Sequence, residues 1–186
     1  MKNKFLIFIF LLLGLLSFFL LKNVQNVKDE FENENQVFDT TEIIEAKTPE
    51  EMVNVLNSSN FMITEQKSWN VIEPEDFLEK GGGSKVDALV FLGSSLHQKG
   101  YEVGILRYLY TVGGSSKTSA VLLLKDYNTP KHIFWGENGL NISEHGFSFE
   151  ELFVLEEERL GIVITDYAAF LPANFKNLHN PKWIKR

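Results

Sequence analysis

"GGGSKVDALVFLGSSLHQKGY", residues 81–101, is the stretch whose reading decides the fold. A glycine cluster runs into Val86, Leu89, Val90 and Leu96, with small Ala88, Gly93 and Ser94 between them, a spacing that predicts a helix buried tightly against its neighbours and ending near Lys99 and Gly100. The junction between glycines and helix presents Ser84 and Lys85. Ser84 followed by Asp87 three residues on is also the pattern of an N-terminal helix cap.

Upstream, "TPEEMVNVLNSSNF" offers Thr48 as a cap, Pro49 at the first helical position and Glu51 in capping-box spacing, so a first short helix is expected there. A short strand around Phe61–Thr64 follows, and "WNVIEPEDFLEKGGG" reads as a turn into one brief helix opened by Pro74. Downstream the period changes. "YEVGILRYLYTVGGSSKTSAVLLLKD" holds two β-rich runs around Gly113 and Gly114, "KHIFWGENGL" adds a third strand, Ser148 and Glu151 cap another helix, and "GIVITDY" closes with a strand. Helices followed by an antiparallel meander with one helix inserted define the α+β class, a central helix packed on an antiparallel sheet.

The chain begins "MKNKFLIFIFLLLGLLSFFLLK", uncharged from Phe5 to Leu21. A bilayer-spanning helix needs roughly 17–25 apolar residues, so this run reads as one N-terminal transmembrane helix, residues 1–22. A cleaved secretion signal is the competing reading, and no A-x-A-like site follows the run. Both readings export the remainder, and Lys2 and Lys4 favour an N-terminus inside with the domain outside the cytoplasm. Residues 23–47, rich in Asn, Glu and Asp, read as a polar stalk, and residues 48–186 as the folded domain.

A formal net charge of -7 argues against nucleic-acid binding, which needs a concentrated basic surface. With no cysteine, the chain has no disulfide, no thiolate metal site and no thiol nucleophile. His97, His132, His145 and His179 lack metal-ligand spacing, and no cofactor motif is present, because "GGG" before "SK" departs from phosphate-loop spacing. Trp69, Phe134 and Trp135 read as core or groove-lining aromatics.

Along residues 69–124, Trp69, "PEDFL", "GSKVD", the "GY" of Gly100 and Tyr101, and "SAVLLL" from Ser119 follow one another in an order that resembles the transglutaminase-like superfamily of papain-like thiol enzymes. The resemblance implies a fold in which a cysteine starts the central helix, a histidine opens a neighbouring strand and an Asp or Asn follows on the next. A thiol at a helix N-terminus is acidified by unpaired N–H groups and the helix dipole, and the histidine completes the pair. Here Lys85 or, one residue earlier, Ser84 stands at the cysteine position, and Ser119 stands at the histidine position. The loop near Glu137 and Asn138 offers candidates for the third residue, and His132 lies a connection away from the expected place.

A serine nucleophile needs a base within hydrogen-bond reach, and Ser119 cannot serve as one near neutral pH. Lys85 is poorly placed to help, because adjacent helical residues point about 100° apart. Ser84, Lys85 and Ser119 are therefore degenerate catalytic positions, with Trp69, Asp87 and Trp135 as cleft residues. The expectation is a membrane-anchored domain of transglutaminase-like fold without thiol chemistry that binds a protein, peptide or cell-envelope ligand. The alternative is a hydrolase that uses Ser84 as a non-standard nucleophile.

Overall fold

A computed structural model describes residues 45–66, 68–125, 129–146 and 148–186. The apolar run from Phe5 to Leu21 and nearly all of the expected stalk lie outside the described residues. Among those described, no helix is long and apolar enough to cross a membrane.

The helices begin where local chemistry tells them to. Helix α1 (Pro49–Ser58) has proline in its first turn and a reciprocal capping box between Thr48 and Glu51. After strand β1 (Met62–Thr64) comes helix α2 (Pro74–Glu79), whose Phe77 is fully buried. Strand β2 (Gly82–Ser84) pairs parallel with β1, placing Met62 opposite Gly82. That pairing is unexpected from the sequence, where the three glycines read only as a helix end. Gly82 sits at φ +141°, and a Cβ there would lie 2.3 Å from the Met62 carbonyl oxygen, so the two segments meet only because this position has no side chain.

Helix α3 (Lys85–Gln98) is the predicted central helix, buried from Val86 through Gly93 and again at Leu96. Strands β3 (Glu102–Val112) and β4 (Ser115–Lys125) form the expected hairpin. Gly113 and Gly114 supply the two positive φ angles, 58° and 79°, that a two-residue turn of matching twist requires. Strand β5 (Lys131–Gly136) then pairs with strand β6 (Gly139–Glu144), an additional strand beyond those expected from the sequence. Helix α4 (Phe149–Leu160), capped by Ser148 and Glu151, leads to strand β7 (Ile164–Phe170). A short 3-10 helix (Pro172–Asn177) and strand β8 (Ile184–Lys185) end the chain.

The six-stranded sheet runs β6-β5-β4-β3-β7-β8 with every neighbouring pair antiparallel, giving an α+β architecture. Alternation along β3 divides its residues between two cores. Val103 and Ile105 join the larger core with α1 and α3, whereas Leu106 and Tyr108 join a smaller one with Leu152 and Phe153 of α4. Arg107 falls on the α3 face, buried between Trp69 at 3.6 Å and Trp183 at 5.1 Å, with Nη1 donating to the Leu178 carbonyl at 2.6 Å. Burial lowers its pKa to about 10, so it stays charged at neutral pH.

Replacing Gly82 with alanine forces both the φ angle and the Met62 contact. The expected loss is about 2 kcal/mol, read as a lower urea midpoint with an unchanged slope.

Candidate functional site

At the start of α3 the Ser84 hydroxyl is fully engaged. Its Oγ accepts the Asp87 N–H at 3.2 Å and donates to Asp87 Oδ2 at 2.7 Å. The same carboxylate takes the Ser84 N–H at 2.8 Å and, through Oδ1, the Ile72 N–H at 3.0 Å. The Asp87 side chain thus joins the helix start to the loop that follows Trp69, and its residue is nine-tenths buried at 7 % exposure. Lys85 turns the other way: Nζ reaches Glu65 Oε1 at 2.7 Å, and its carbonyl accepts the Trp135 indole N–H at 2.9 Å.

That indole bond belongs to a break in the sheet. Strands β4 and β5 pair only at Leu122–Leu124 with Ile133–Lys131. Continuing the register would oppose Ala120 to Trp135, but the pairing stops short of them, and the Trp135 indole bonds to the first turn of α3. On the far side of β5, Leu140 gives its N–H to Asn57 Oδ1 at 2.8 Å and accepts Asn57 Nδ2 at 2.7 Å. Leu140 therefore faces away from Trp135, its partner in the ladder, and the backbone groups of Trp135 point toward β4. The carbonyl freed there accepts from Arg159 Nη1 at 3.4 Å.

A cavity of about 310 Å³ occupies this break, lined among others by Trp69, Lys85, Tyr110, Ser119, Trp135 and Arg159. Its far wall rests on a buried polar cluster under α4. Glu156, 1 % exposed, accepts Tyr108 Oη at 2.5 Å and two bonds from Arg159 at 2.9 and 2.5 Å, and His132 Nε2 stands 3.5 Å away. Burial opposes its charge, but the donors of His132, Arg159 and Tyr108 prevail and hold its pKa down at about 2. The Tyr108 phenol is driven far up, first by burial and then by the Glu156 charge. Arg159 also lies 4.3 Å over the Phe134 ring.

Of the residues singled out from sequence, the structure brings Lys85, Ser119, Trp69 and Trp135 to one cavity. Ser84 and Asp87 are adjacent to it but bonded to one another rather than lining it. Ser119 pairs with Tyr108 and shares its face of the sheet, the α4 side, while Ala120 takes the α3 side. No histidine lines the cavity. Glu137 and Asn138 form the exposed turn between β5 and β6 and do not reach it.

The histidines are not all as scattered as their spacing suggests. Pairing of Lys131 with Glu144 brings His132 and His145 to a ring separation of 5.5 Å. Burial first, then the neighbouring imidazole, lowers the pKa of His145. Among the described residues no group of three His, Cys, Asp or Glu side chains is placed to hold a metal ion. Tyr108, Glu156 and Arg159 were missed from sequence; the only local trace is Glu156 and Arg159 at i, i+3 in "LEEERL". A larger, mainly apolar cavity of about 830 Å³ lies at the opposite end of the strands; His97 and His145 line it, and Ser84, Lys85, Ser119, Trp69, Asp87 and Trp135 do not. No protein-family model matches the sequence, and no curated protein matches it.

The Glu156 pKa fixes a pH dependence. Its folded value of about 2 lies below the ordinary 4.5, so the stabilisation is complete above the latter and is lost as pH falls from one to the other. The amount at stake is about 3 kcal/mol. Urea unfolding between pH 6 and pH 2, about the window set by linkage, should show this loss, and Glu156→Gln should flatten it. At neutral pH that variant should be less stable by roughly 3 kcal/mol, because Arg159 loses its counter-charge and one of the two accepting oxygens becomes an NH2 donor facing Arg159 or Tyr108.

Proposed function

We propose that the chain is a transglutaminase-like domain without thiol chemistry, held outside the cytoplasm by its N-terminal apolar helix, that uses the cavity at the start of α3 to bind a protein, peptide or cell-envelope ligand. The observation carrying this reading is the state of the helix start. The one hydroxyl at the nucleophile position is bonded in both directions to Asp87, and a cavity without an imidazole opens beside it. Nucleophilic catalysis needs a group that takes the hydroxyl proton as the bond to substrate forms. The charged groups of the lining are the ion pair of Lys85 with Glu65, and Arg159, which is held by Glu156; none of them bonds the Ser84 hydroxyl, whose proton is directed at the capping carboxylate of Asp87.

What the lining does supply is recognition. Indole and phenol faces from Trp69, Trp135 and Tyr110 stand beside two cations, a mixture that suits a ligand with an extended backbone and polar side groups. The order of Trp69, "GSKVD" and "SAVLLL" supports the same family frame, with the α3 start and the beginning of "SAVLLL" lining one cavity.

The full-length protein, purified in a mild detergent, should hydrolyse neither amide nor ester substrates and should leave Ser84 unlabelled by a fluorophosphonate probe. Hydrolysis that Ser84→Ala or Lys85→Ala abolishes would establish the hydrolase instead.

A further inference from the structure

Strand β4 is paired toward β5 only at Leu122, Leu123 and Leu124, so among the described residues Ser115–Val121 has no strand on that side. Which backbone groups this open edge offers follows from the turn before it. Val112 and Ser115 are opposed across a two-residue loop of positive-φ glycines, which makes them a pair exchanging both hydrogen bonds. Alternation then turns Ser115, Lys117 and Ser119 toward β3 and points the N–H and C=O of Ser116, Thr118 and Ala120 outward. The other end gives the same parity. Because Leu140 faces Asn57, Trp135 and Ile133 face β4, and Leu122, opposite Ile133, faces β5.

Thr118 and Ala120 line the cavity, so this edge borders the site already described. Natural sheets usually close or guard such an edge. The far edge is an example: β6 is closed at Leu140 by the two bonds it exchanges with the Asn57 side chain. On β4 the guard is one charge, Lys117, exposed in the middle of the open stretch. Lys117, Lys85 and Arg159 border the edge against Glu65 and the buried Glu156. The Lys85 partner is replaceable, since the Glu65 side chain is 83 % exposed on its loop.

We infer that the open edge of β4, through the backbone of Ser116, Thr118 and Ala120, takes an extended peptide by strand addition, with an acidic side chain of that peptide reaching Lys85. This rests on the binding reading of the cavity and names its ligand class. Main-chain bonds would supply the affinity, and every second side chain of the peptide would enter or leave the cavity. A neutral apolar strand would offer Lys85 nothing in exchange for Glu65, whereas an acidic one can take over that ion pair.

The test uses the full-length protein in detergent and a fluorescein-labelled peptide, Thr-Val-Glu-Val-Glu-Val-Thr, capped at both ends and followed by anisotropy. Three further arms are the same peptide with Lys for Glu, the peptide N-methylated on alternate residues in either register, and the variant Thr118→Pro. Proline at position 118 removes an outward N–H and leaves the bonds to β3 intact. Binding of the acidic peptide is expected, weakened about tenfold or more in at least one N-methylated register, by Thr118→Pro and by Lys-for-Glu exchange, with the melting temperature of the variant close to that of the parent. Absence of binding up to about 1 mM overturns the inference. So does binding that both N-methylated peptides retain; if Lys85→Ala still weakens that binding, strand addition fails while the cavity remains a ligand site. Cleavage of the peptide overturns the non-catalytic reading itself.

Discussion

Glu156 dictates the groups around it. A carboxylate with 1 % exposure between a helix and a sheet would cost several kcal/mol if left without donors. It is met by a phenol from β3 and a guanidinium from its own helix, with the imidazole of β5 close by. These partners fix the distance and rotation of α4 over the sheet. They also fix Arg159, which lies one turn along the helix and is held by two bonds to the same carboxylate. From that position the guanidinium covers Phe134 and caps the Trp135 carbonyl. The buried acid thus sets the place of one of the two cations that line the cavity beside the end of β5.

Asp87 does the corresponding work on the other wall with a different set of donors. Its partners are backbone N–H groups and the Ser84 hydroxyl, so it ties the loop after Trp69 to the helix start. Trp69 is in turn held by Arg107, whose cation lies over its ring. A change at either carboxylate would alter the cavity through the elements it positions. The consequence for chemistry is that Ser84 gives its hydroxyl to the cap, the same bond that makes the helix begin there.

The elements legible in the sequence are those whose signals are local. Thr48 with Glu51, Ser84 with Asp87 and Ser148 with Glu151 each announced a helix three residues before it was established, and each forms its capping box. Gly113 and Gly114 announced the hairpin, and the structure turns there. What escaped is carried by long-range pairing. Tyr108 and Glu156 are 48 residues apart, and no periodicity ties a tyrosine in one strand to a glutamate in a later helix. His132 and His145 meet through the β5–β6 register, which is hidden until β6 is recognised as a strand. Residue type and order singled out Trp69, Lys85, Ser119 and Trp135, which share a cavity, together with Ser84 and Asp87, which do not line it. The face was not legible. A strand shows opposite sides at alternate residues, so the position of Ser119 in "SAVLLL" could be read while its turn toward Tyr108 required the register with β3.

The break in the sheet leaves an asymmetry. Where β5 leaves β4, both strands lose ladder partners, and backbone donors and acceptors turned toward low-dielectric surroundings must be met by something. On the β5 side the Trp135 carbonyl is met by Arg159. At the sheet's far edge the Leu140 groups are met by Asn57. On β4, the outward groups of Thr118 and Ala120 meet the cavity, and no side chain among the described residues stands in for the missing strand there. An edge already fixed by eleven residue pairs with β3 is rigid before any partner arrives. A partner would therefore gain hydrogen bonds without having to order the strand it joins.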